Sequence, residues 1–334
     1  MVTPDPALRT LGSSGLVVSR LGVGLAAIAR PGYITLGRAR TLPVQRTAEA
    51  LYARTAEVLD AARAAGIRYV DVARSYGRAE EFLARWLAAR ALAPGALTIG
   101  SKWGYRYTAG WAVDAAVHEE KELSLARFEQ QLAESRALLG PHLALYQIHS
   151  ATAESGCLED AALLRALVAR RRAGAYRAIG LTLSGATSAQ ALALALAARV
   201  DGERVFDVVQ ATFNCLEPSL APLLAAAHAA GVGVIAKEVH ANGRLTGANE
   251  RAEDAGMLAR LRALGDDVSQ LALAFVLSHP FVDIALSGAA TTAQLATHVA
   301  ACGLALDPAT RAALAALAEP PERYWTTRAR LPWT

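Results

Sequence analysis

Eight short apolar runs alternate with eight longer Ala/Leu/Arg stretches along this chain, and that alternation constrains the fold more than any other feature. The runs are Leu21–Gly24, Arg68–Asp71, Leu97–Lys102, Leu143–His149, Ala175–Thr182, Val205–Gln210, Val232–Lys237 and Val282–Leu286. Helical patterns follow them or fall between them at Thr47–Ala65, Glu80–Ala91, Glu122–Leu139, Glu159–Ala173, Ser188–Ala198, Ser219–Ala230, Asp254–Leu264 and Thr291–Ala301. Several end at a glycine (Gly66, Gly174, Gly231), the residue that a left-handed helix stop needs. Runs this short and this uniformly apolar suit strands buried on both faces, and strand–helix alternation implies a parallel sheet. Closed on itself, the sheet is a (β/α)8 TIM barrel; an open doubly wound sheet is the rival. Outside the repeat lie a small hairpin over Leu8–Val18, turning at Ser13–Gly15 and plugging the barrel bottom, and loops over Arg30–Val44 and Gly104–His118. A further helix at Val268–Ser278 and a C-terminal tail, Pro320–Thr334, complete the chain. No stretch has linker composition, so residues 1–334 read as a single α/β barrel domain with an N-terminal β-hairpin and extra C-terminal helices.

Composition narrows the function. With 53% apolar residues among 334 a sizeable core is available, and the net charge of +4 is spread out. The Arg170, Arg171, Arg172 cluster ends a helical pattern, where the dipole favours cations, so nucleic acid is not an expected partner. Cys157, Cys215 and Cys302 are odd in number and far apart, which argues against disulfides and zinc and for a reducing cytoplasm. Met1–Thr10 lacks a leader pattern, and Ala189–Val200 is too short to span a bilayer, so no membrane role is expected. The seven histidines make no pair with metal-ligand spacing.

Two glycine patterns mislead. Gly22-Val-Gly24-Leu-Ala-Ala27 matches a dinucleotide fingerprint, but Pro31-Gly32 breaks the helix it needs and no acidic ribose partner follows. Gly231-Val-Gly233-Val-Ile-Ala236 runs straight into a strand. Close packing of small residues in a barrel explains both.

Four polar residues stand where apolar runs end: Asp71, Tyr76 five residues later in an Arg-Ser-Tyr-Gly turn, Lys102 and His149. A barrel gathers its C-terminal strand ends around one mouth, where active sites are built. Singly, each has an ordinary reading as a turn former, a packed aromatic, a solvated cation or a core histidine. Together they make chemical sense. A buried Lys102 ammonium wants the Asp71 carboxylate. Its charge would lower the pKa of Tyr76, a proton donor to a carbonyl or acceptor from an alcohol, and His149 would orient the substrate oxygen.

At these residues the chain resembles the aldo-keto reductase superfamily over nearly its whole length. Asp71-Val-Ala-Arg-Ser-Tyr76-Gly77-Arg-Ala-Glu80 is similar to the family's D-T-A-x-x-Y-G-x-S-E segment, Ser101-Lys102-Trp103-Gly104 to T-K-x-G, Leu145-Tyr146-Gln147-Ile148-His149 to its L-Y-Q-L-H strand, and Arg177-Ala-Ile-Gly180-Leu-Thr182 to R-x-I-G-V-S. The resemblance implies an NAD(P)-dependent oxidoreductase interconverting carbonyl and alcohol, with Tyr76 as general acid/base. It further implies nicotinamide contacts from Thr182 and Gln210, a ring stacked by Phe213, and a pyrophosphate loop containing Lys237 and Arg244. Ser287, Gly288, Gln294 and His298 fall at the adenosine end.

The chain departs from the family pattern in places. Leu183 replaces a carboxamide-binding Asn, leaving Thr182, Gln210 or Ser184. Lys237-Glu238-Val-His240 replaces x-S-P-L, so Glu238 should pair with Lys237 or Arg244 or point away. Gly288–Gln294 lacks the basic residues that grip a 2′-phosphate, which favours NAD(H), or use of both cofactors, over strict NADP(H). Trp103, Tyr105, His240 and Trp325 are expected at the substrate mouth, and aromatic walls suit a sugar-like or polyol carbonyl or alcohol. Two rivals stay open: a non-catalytic, nicotinamide-binding partner or redox-sensor subunit on the same barrel, and a barrel lyase or aldolase using Lys102 as a Schiff base.

Overall fold

The computed structural model describes residues 7–334. Met1–Pro6, part of the stretch without a leader pattern, lie outside the described residues. Eight parallel strands close into a barrel: β1 (Leu21–Gly24), β2 (Tyr69–Asp71), β3 (Thr98–Trp103), β4 (Leu143–Ala151), β5 (Ala178–Leu183), β6 (Val208–Thr212), β7 (Gly233–Lys237) and β8 (Ile284–Ser287). Each pairs with its neighbour in sequence, and β8 pairs with β1. This is the (β/α)8 barrel, and the open sheet is excluded. Between the strands run α1 (Ala48–Ala64), α2 (Ala79–Ala89), α3 (Leu125–Leu139), α4 (Ala161–Arg172), α5 (Ser188–Ala197) and α6 (Ala221–Ala229). Two helices, α7 (Ala255–Arg262) and α8 (Val268–Leu277), separate β7 from β8, and α9 (Thr292–Ala301), α10 (Pro308–Ala315) and α11 (Pro321–Ala329) close the chain.

Local chemistry sets the boundaries. Thr47, Ser124, Asp160, Asp267, Thr291 and Asp307 accept backbone N–H groups at helix starts. Gly66, Gly174 and Gly231 take positive φ just past α1, α4 and α6. The arginine cluster at the end of α4 is consumed in ion pairs with Glu129, Asp207, Asp201 and Glu203.

Two apolar cores result. The larger fills the layer between strands and helices, where Val209, Val234 and Leu181 face Leu192, Leu224 and Phe275. The smaller fills the lower lumen: Tyr69, Leu145, Ala178, Val208, Ile235 and Ile284 meet Leu11, Leu16 and Val18 of the N-terminal hairpin. That hairpin pairs Leu8–Thr10 with Val17–Ser19 and closes the barrel bottom, as expected. Gly100 lets Tyr69 cross the lumen, since a Cβ there would lie 2.3 Å from the Tyr69 hydroxyl oxygen.

Two segments differ from expectation. Gly104–His118 is not wholly loop: Tyr105–Tyr107 forms a hairpin with Glu119–Lys121. The period-2 signal of a strand this short is lost beside Gly104 and Gly110. The tail is mostly helical, and its last residues return to the mouth through a bridge between Ile34 and Trp333. No helix among the described residues is long and apolar enough to cross a membrane.

Candidate active site

The carboxyl ends of the strands open into one cavity of about 510 Å³. At one end β2, β3 and β4 deliver Asp71, Lys102 and His149, and the turn after β2 delivers Tyr76. Lys102 is fully enclosed, and its ammonium donates to Asp71 Oδ1 and to the Val72 carbonyl (3.0 Å). The other Asp71 oxygen accepts from Gln210 Nε2 (2.9 Å) and the Tyr69 hydroxyl (3.2 Å). Lys102 Nζ lies 4.6 Å from the centre of the Tyr76 ring, and that ring meets His149 edge-on at 5.5 Å. On its far side His149 meets Tyr105 at 4.9 Å. Asp71, Tyr76, Tyr105 and His149 line the cavity, with Lys102 directly behind them.

The backbone aims these groups. The β4–β5 register slips between Ile148 and Ala151, so one extra residue stands on β4, and a bulge of this kind redirects side chains. Ser150 takes φ 53° there, and both His149 and Ser150 line the cavity. Glu80 anchors the Tyr76 turn from α2. One carboxylate oxygen accepts from Arg74 (2.6 Å), the other from Ser101 (2.6 Å) and Ser135 (2.7 Å). Gly77, at φ 60°, lets the turn pack on Arg30, whose Cβ would lie 2.6 Å from a Cβ at position 77.

Burial governs the electrostatics. Desolvation, reinforced by the Asp71 charge, raises the Tyr76 hydroxyl well above the usual tyrosine value. The expected lowering of Tyr76 by Lys102 is therefore corrected: burial, with the Asp71 charge, prevails. Desolvation and then the Lys102 charge hold His149 far below the ordinary histidine value, so its ring is neutral. The site thus holds a protonated phenol beside a neutral imidazole, the state suited to donating a proton and a hydrogen bond to a carbonyl oxygen.

A profile described as the aldo/keto reductase family matches residues 34–319. The chain belongs to the aldo/keto reductase family. Like its family it is an oxidoreductase, and aldo-keto reductases generally use NAD(P)H. Solved structures share its fold. An aldo-keto reductase of Bacillus halodurans, in its holo form, is 20% identical, with 94% of this chain and 96% of that one covered and a TM-score of 0.73. A Pseudomonas aeruginosa protein described as an aldo-keto reductase is 24% identical, with 88% and 93% covered and a TM-score of 0.64. No curated protein matches the chain.

The cavity of this aldo-keto reductase runs from Tyr76 to a second end made by Ser287, Gly288, Gln294, Thr297 and His298. Ser287 Oγ bonds His298 Nδ1 (2.7 Å), Gln294 Oε1 accepts from the Ala290 amide (2.8 Å), and a Cβ at Gly288 would meet nothing within 4 Å. His240 also belongs to this end, not to the substrate mouth as expected. Its ring stacks on His298 at 4.5 Å and bonds the Ser269 carbonyl. An elongated cofactor fits a cavity with backbone-lined, open space at Gly288 and polar groups along its floor.

Several expected site residues lie elsewhere, each for a packing reason. Phe213 is wholly buried against Phe275, His279 and Phe281, behind the strands. Trp103 points outward onto Phe128 at 5.2 Å, since the residue after Lys102 on a strand takes the opposite face. Arg244 is consumed by Asp254 and Glu319. Trp325 packs on Tyr324 and Arg328 and does not line the cavity. Thr182 is enclosed, accepting the Ser150 amide (2.7 Å), and Ser184 lines the cavity in its place. Gln210 does line it, although its NH2 is turned to Asp71.

Other lining residues carried no motif. The Arg30 guanidinium, paired with Glu119, lies 5.4 Å from the Tyr76 ring, 5.0 Å from Tyr33 and 5.2 Å from Trp333. Trp333 stacks flat on His118 at 3.7 Å. Glu238, at φ 54°, pairs with Arg328 of α11 (2.9 and 3.0 Å), not with Arg244. The aromatic residues of the tail were the available signal, but sequence cannot say which of three turns inward.

Proposed function

We propose that this enzyme reduces a sugar-like or polyol aldehyde or ketone to its alcohol, with Tyr76 as proton donor and NAD(H) as the preferred nicotinamide cofactor. One observation carries the reading: Asp71, Tyr76, Lys102 and His149 converge at one end of a cavity whose other end is Ser287–His298. When bound, the cofactor supplies the hydride. His149 hydrogen-bonds the carbonyl oxygen, Tyr76 delivers its proton to that oxygen, and the Lys102–Asp71 pair fixes the ring. The raised pKa of the Tyr76 hydroxyl keeps it protonated at neutral pH, which favours reduction, and rising pH shifts the balance toward alcohol oxidation. The chain acts as a single unit in this reading, since both ends belong to one barrel.

The substrate assignment rests on the mouth. Tyr33, Tyr105 and Trp333 offer flat apolar faces, while Arg30–Glu119 and Arg328–Glu238 offer donors and acceptors side by side, the mixture that carbohydrate C–H faces and hydroxyls meet. The cofactor assignment rests on the opposite end. Its lining residues there carry no cation, and the nearby arginines are held by carboxylates, Arg40 by Glu250 and Arg54 by Glu57. Among the described residues, a 2′-phosphate there meets only guanidinium groups that already have a carboxylate partner.

Fluorescence titration with NADH and NADPH, side by side, followed by turnover on a panel of aldoses and unsubstituted aldehydes, tests the reading. NADH binding the tighter, and aldoses turning over with the higher kcat/KM, are the expected results. Tighter NADPH would transfer the cofactor assignment to Arg40 and Arg54, and failure of both cofactors to bind would sink the oxidoreduction described.

A further inference from the structure

At the Tyr76 end most of the charges among the described residues are matched in close pairs. Lys102 is matched by Asp71, Arg30 by Glu119 and Arg328 by Glu238. Lys237, at the end of β7, has only a distant partner, shared with Arg328. Its nearest carboxylate oxygen, on Glu238, is 3.9 Å away, and both oxygens of that carboxylate are taken by Arg328. Its ammonium instead donates to Ser184 Oγ (3.0 Å) and Thr212 Oγ1 (2.9 Å), two neutral hydroxyls that fix its position. Arg38, the other lining cation without a close carboxylate, is wrapped by the carbonyls of Ala27, Arg30, Pro31 and Thr334.

The barrel order shows what Lys237 faces if the proposed function holds. A carbonyl oxygen held by Tyr76 and His149 occupies the ends of β2 and β4. A hydride donor reaching from there to Ser287 on β8 crosses either β1 or the β5–β7 side. On the β1 side the strand end offers only Gly24, Ala26 and Ala27, and the polar lining residues of the loop beyond include Arg30, paired with Glu119, and Arg38, wrapped by backbone carbonyls. On the β5–β7 side they are Ser184, Gln210 and Lys237. The nicotinamide ring therefore belongs over Ser184, Gln210 and Lys237.

Resting on that reading, we infer that Lys237 is a redox-biasing residue: its incompletely matched positive charge disfavours the oxidised, cationic nicotinamide relative to the reduced, neutral one. The bias makes the enzyme hold NADH tighter than NAD+, so the reduced form fills the site and the oxidised form leaves readily, while hydride donation from the bound cofactor becomes thermodynamically less favourable. A role in gripping the pyrophosphate would act equally on both forms, because both carry the same phosphates. Two unit charges one layer of atoms apart, at an effective dielectric of about 20, interact by more than the ~1.4 kcal/mol that a tenfold ratio requires. Burial, only partly offset by Glu238, brings the Lys237 ammonium down to about 8, so it is charged at pH 6.5 and largely neutral at pH 9.5.

The experiment measures Kd for NADH by fluorescence and for NAD+ by displacement, on the full chain, at pH 6.5 and 9.5. The NADP forms serve if they bind better. Expected at pH 6.5 is a Kd ratio, NAD+ over NADH, that falls about tenfold in Lys237→Met, persists in Lys237→Arg and rises in Glu238→Gln. The wild-type ratio falls from pH 6.5 to 9.5, and that of Lys237→Met stays flat. Equal weakening of both forms in Lys237→Met, or an unchanged ratio, overturns the inference and leaves the proposed function standing. Should Lys237→Met fail to fold, Glu238→Gln and the wild-type pH series decide alone. Wild-type protein that binds neither form removes the cofactor reading itself, and the inference with it.

Discussion

The two ends of the cavity are built from different materials. Near Tyr76 buried ions are set against one another: Lys102 on Asp71, Arg30 on Glu119, Arg328 on Glu238. Near His298 the walls are glycine, serine, glutamine and two stacked imidazoles, and the carboxylate that lines the cavity there, Asp267, caps the α8 helix. Burial lowers both rings, His240 to about 4 and His298 well below the ordinary histidine value, so the stack is uncharged at neutral pH. Buried ion pairs rarely add stability over apolar packing, so one fully buried pair and two half-buried ones around a phenol mark a place where field matters more than stability. The neutral end needs shape and hydrogen bonds only.

The contrast can be broken at its centre. Tyr76→Phe should cut turnover by about 10²–10⁴-fold, the usual worth of a general acid, with NADH affinity nearly unchanged; retained activity would move the proton donor elsewhere. Lys102→Met strands the Asp71 carboxylate in the interior. A loss of about 3–5 kcal/mol in urea unfolding is expected, as for other broken buried pairs, and a change within error would mean that water reaches Asp71. From the other side, Gln294→Arg should make the neutral end charged and tighten NADPH about tenfold relative to NADH, through a bidentate bond to the 2′-phosphate. An unmoved ratio would mean that position 294 does not face that phosphate.

Smaller effects sharpen the same contrast through pH. Burial opposes ionisation of Glu238, but the Arg328 and Lys237 charges prevail and bring its carboxyl down to about 2 from 4.5. A depressed acid stabilises fully above the unfolded value and loses that contribution as pH falls through the folded one. The α11 contact should therefore weaken between about pH 4.5 and 2, and Glu238→Gln should flatten that part of the acid-unfolding curve; identical curves would show that Arg328 holds the helix otherwise. Least of all should change with His149: the pH profile of kcat/KM should lack an inflection near the ordinary histidine value, because the ring is neutral throughout.

Strand ends were readable in the sequence because a parallel barrel strand is an apolar run, and the first polar residue after it marks the mouth. Asp71, Lys102 and His149 are all found that way, and Tyr76 by the turn that follows. The same rule misassigned Trp103, which is one residue further and faces outward. Phe213 and Arg244 follow strands too, but each finds partners that only the fold supplies, an aromatic cluster and two distant carboxylates. Arg30, Glu119 and Trp333 meet across 303 residues of chain (30 to 333), and no local pattern marks such a meeting.

The N-terminal hairpin has a consequence for the order of assembly. Its Ser13 amide and hydroxyl both donate to the Gly231 carbonyl, 218 residues away, and Leu11 and Leu16 have no lumen to enter until β7 is in place. A segment made before every barrel strand is thus among the last to dock, and closing so long a loop is entropically costly. A nascent barrel stays open at its bottom until most of its strands exist, and the hairpin then acts as a latch that only a nearly complete ring can engage.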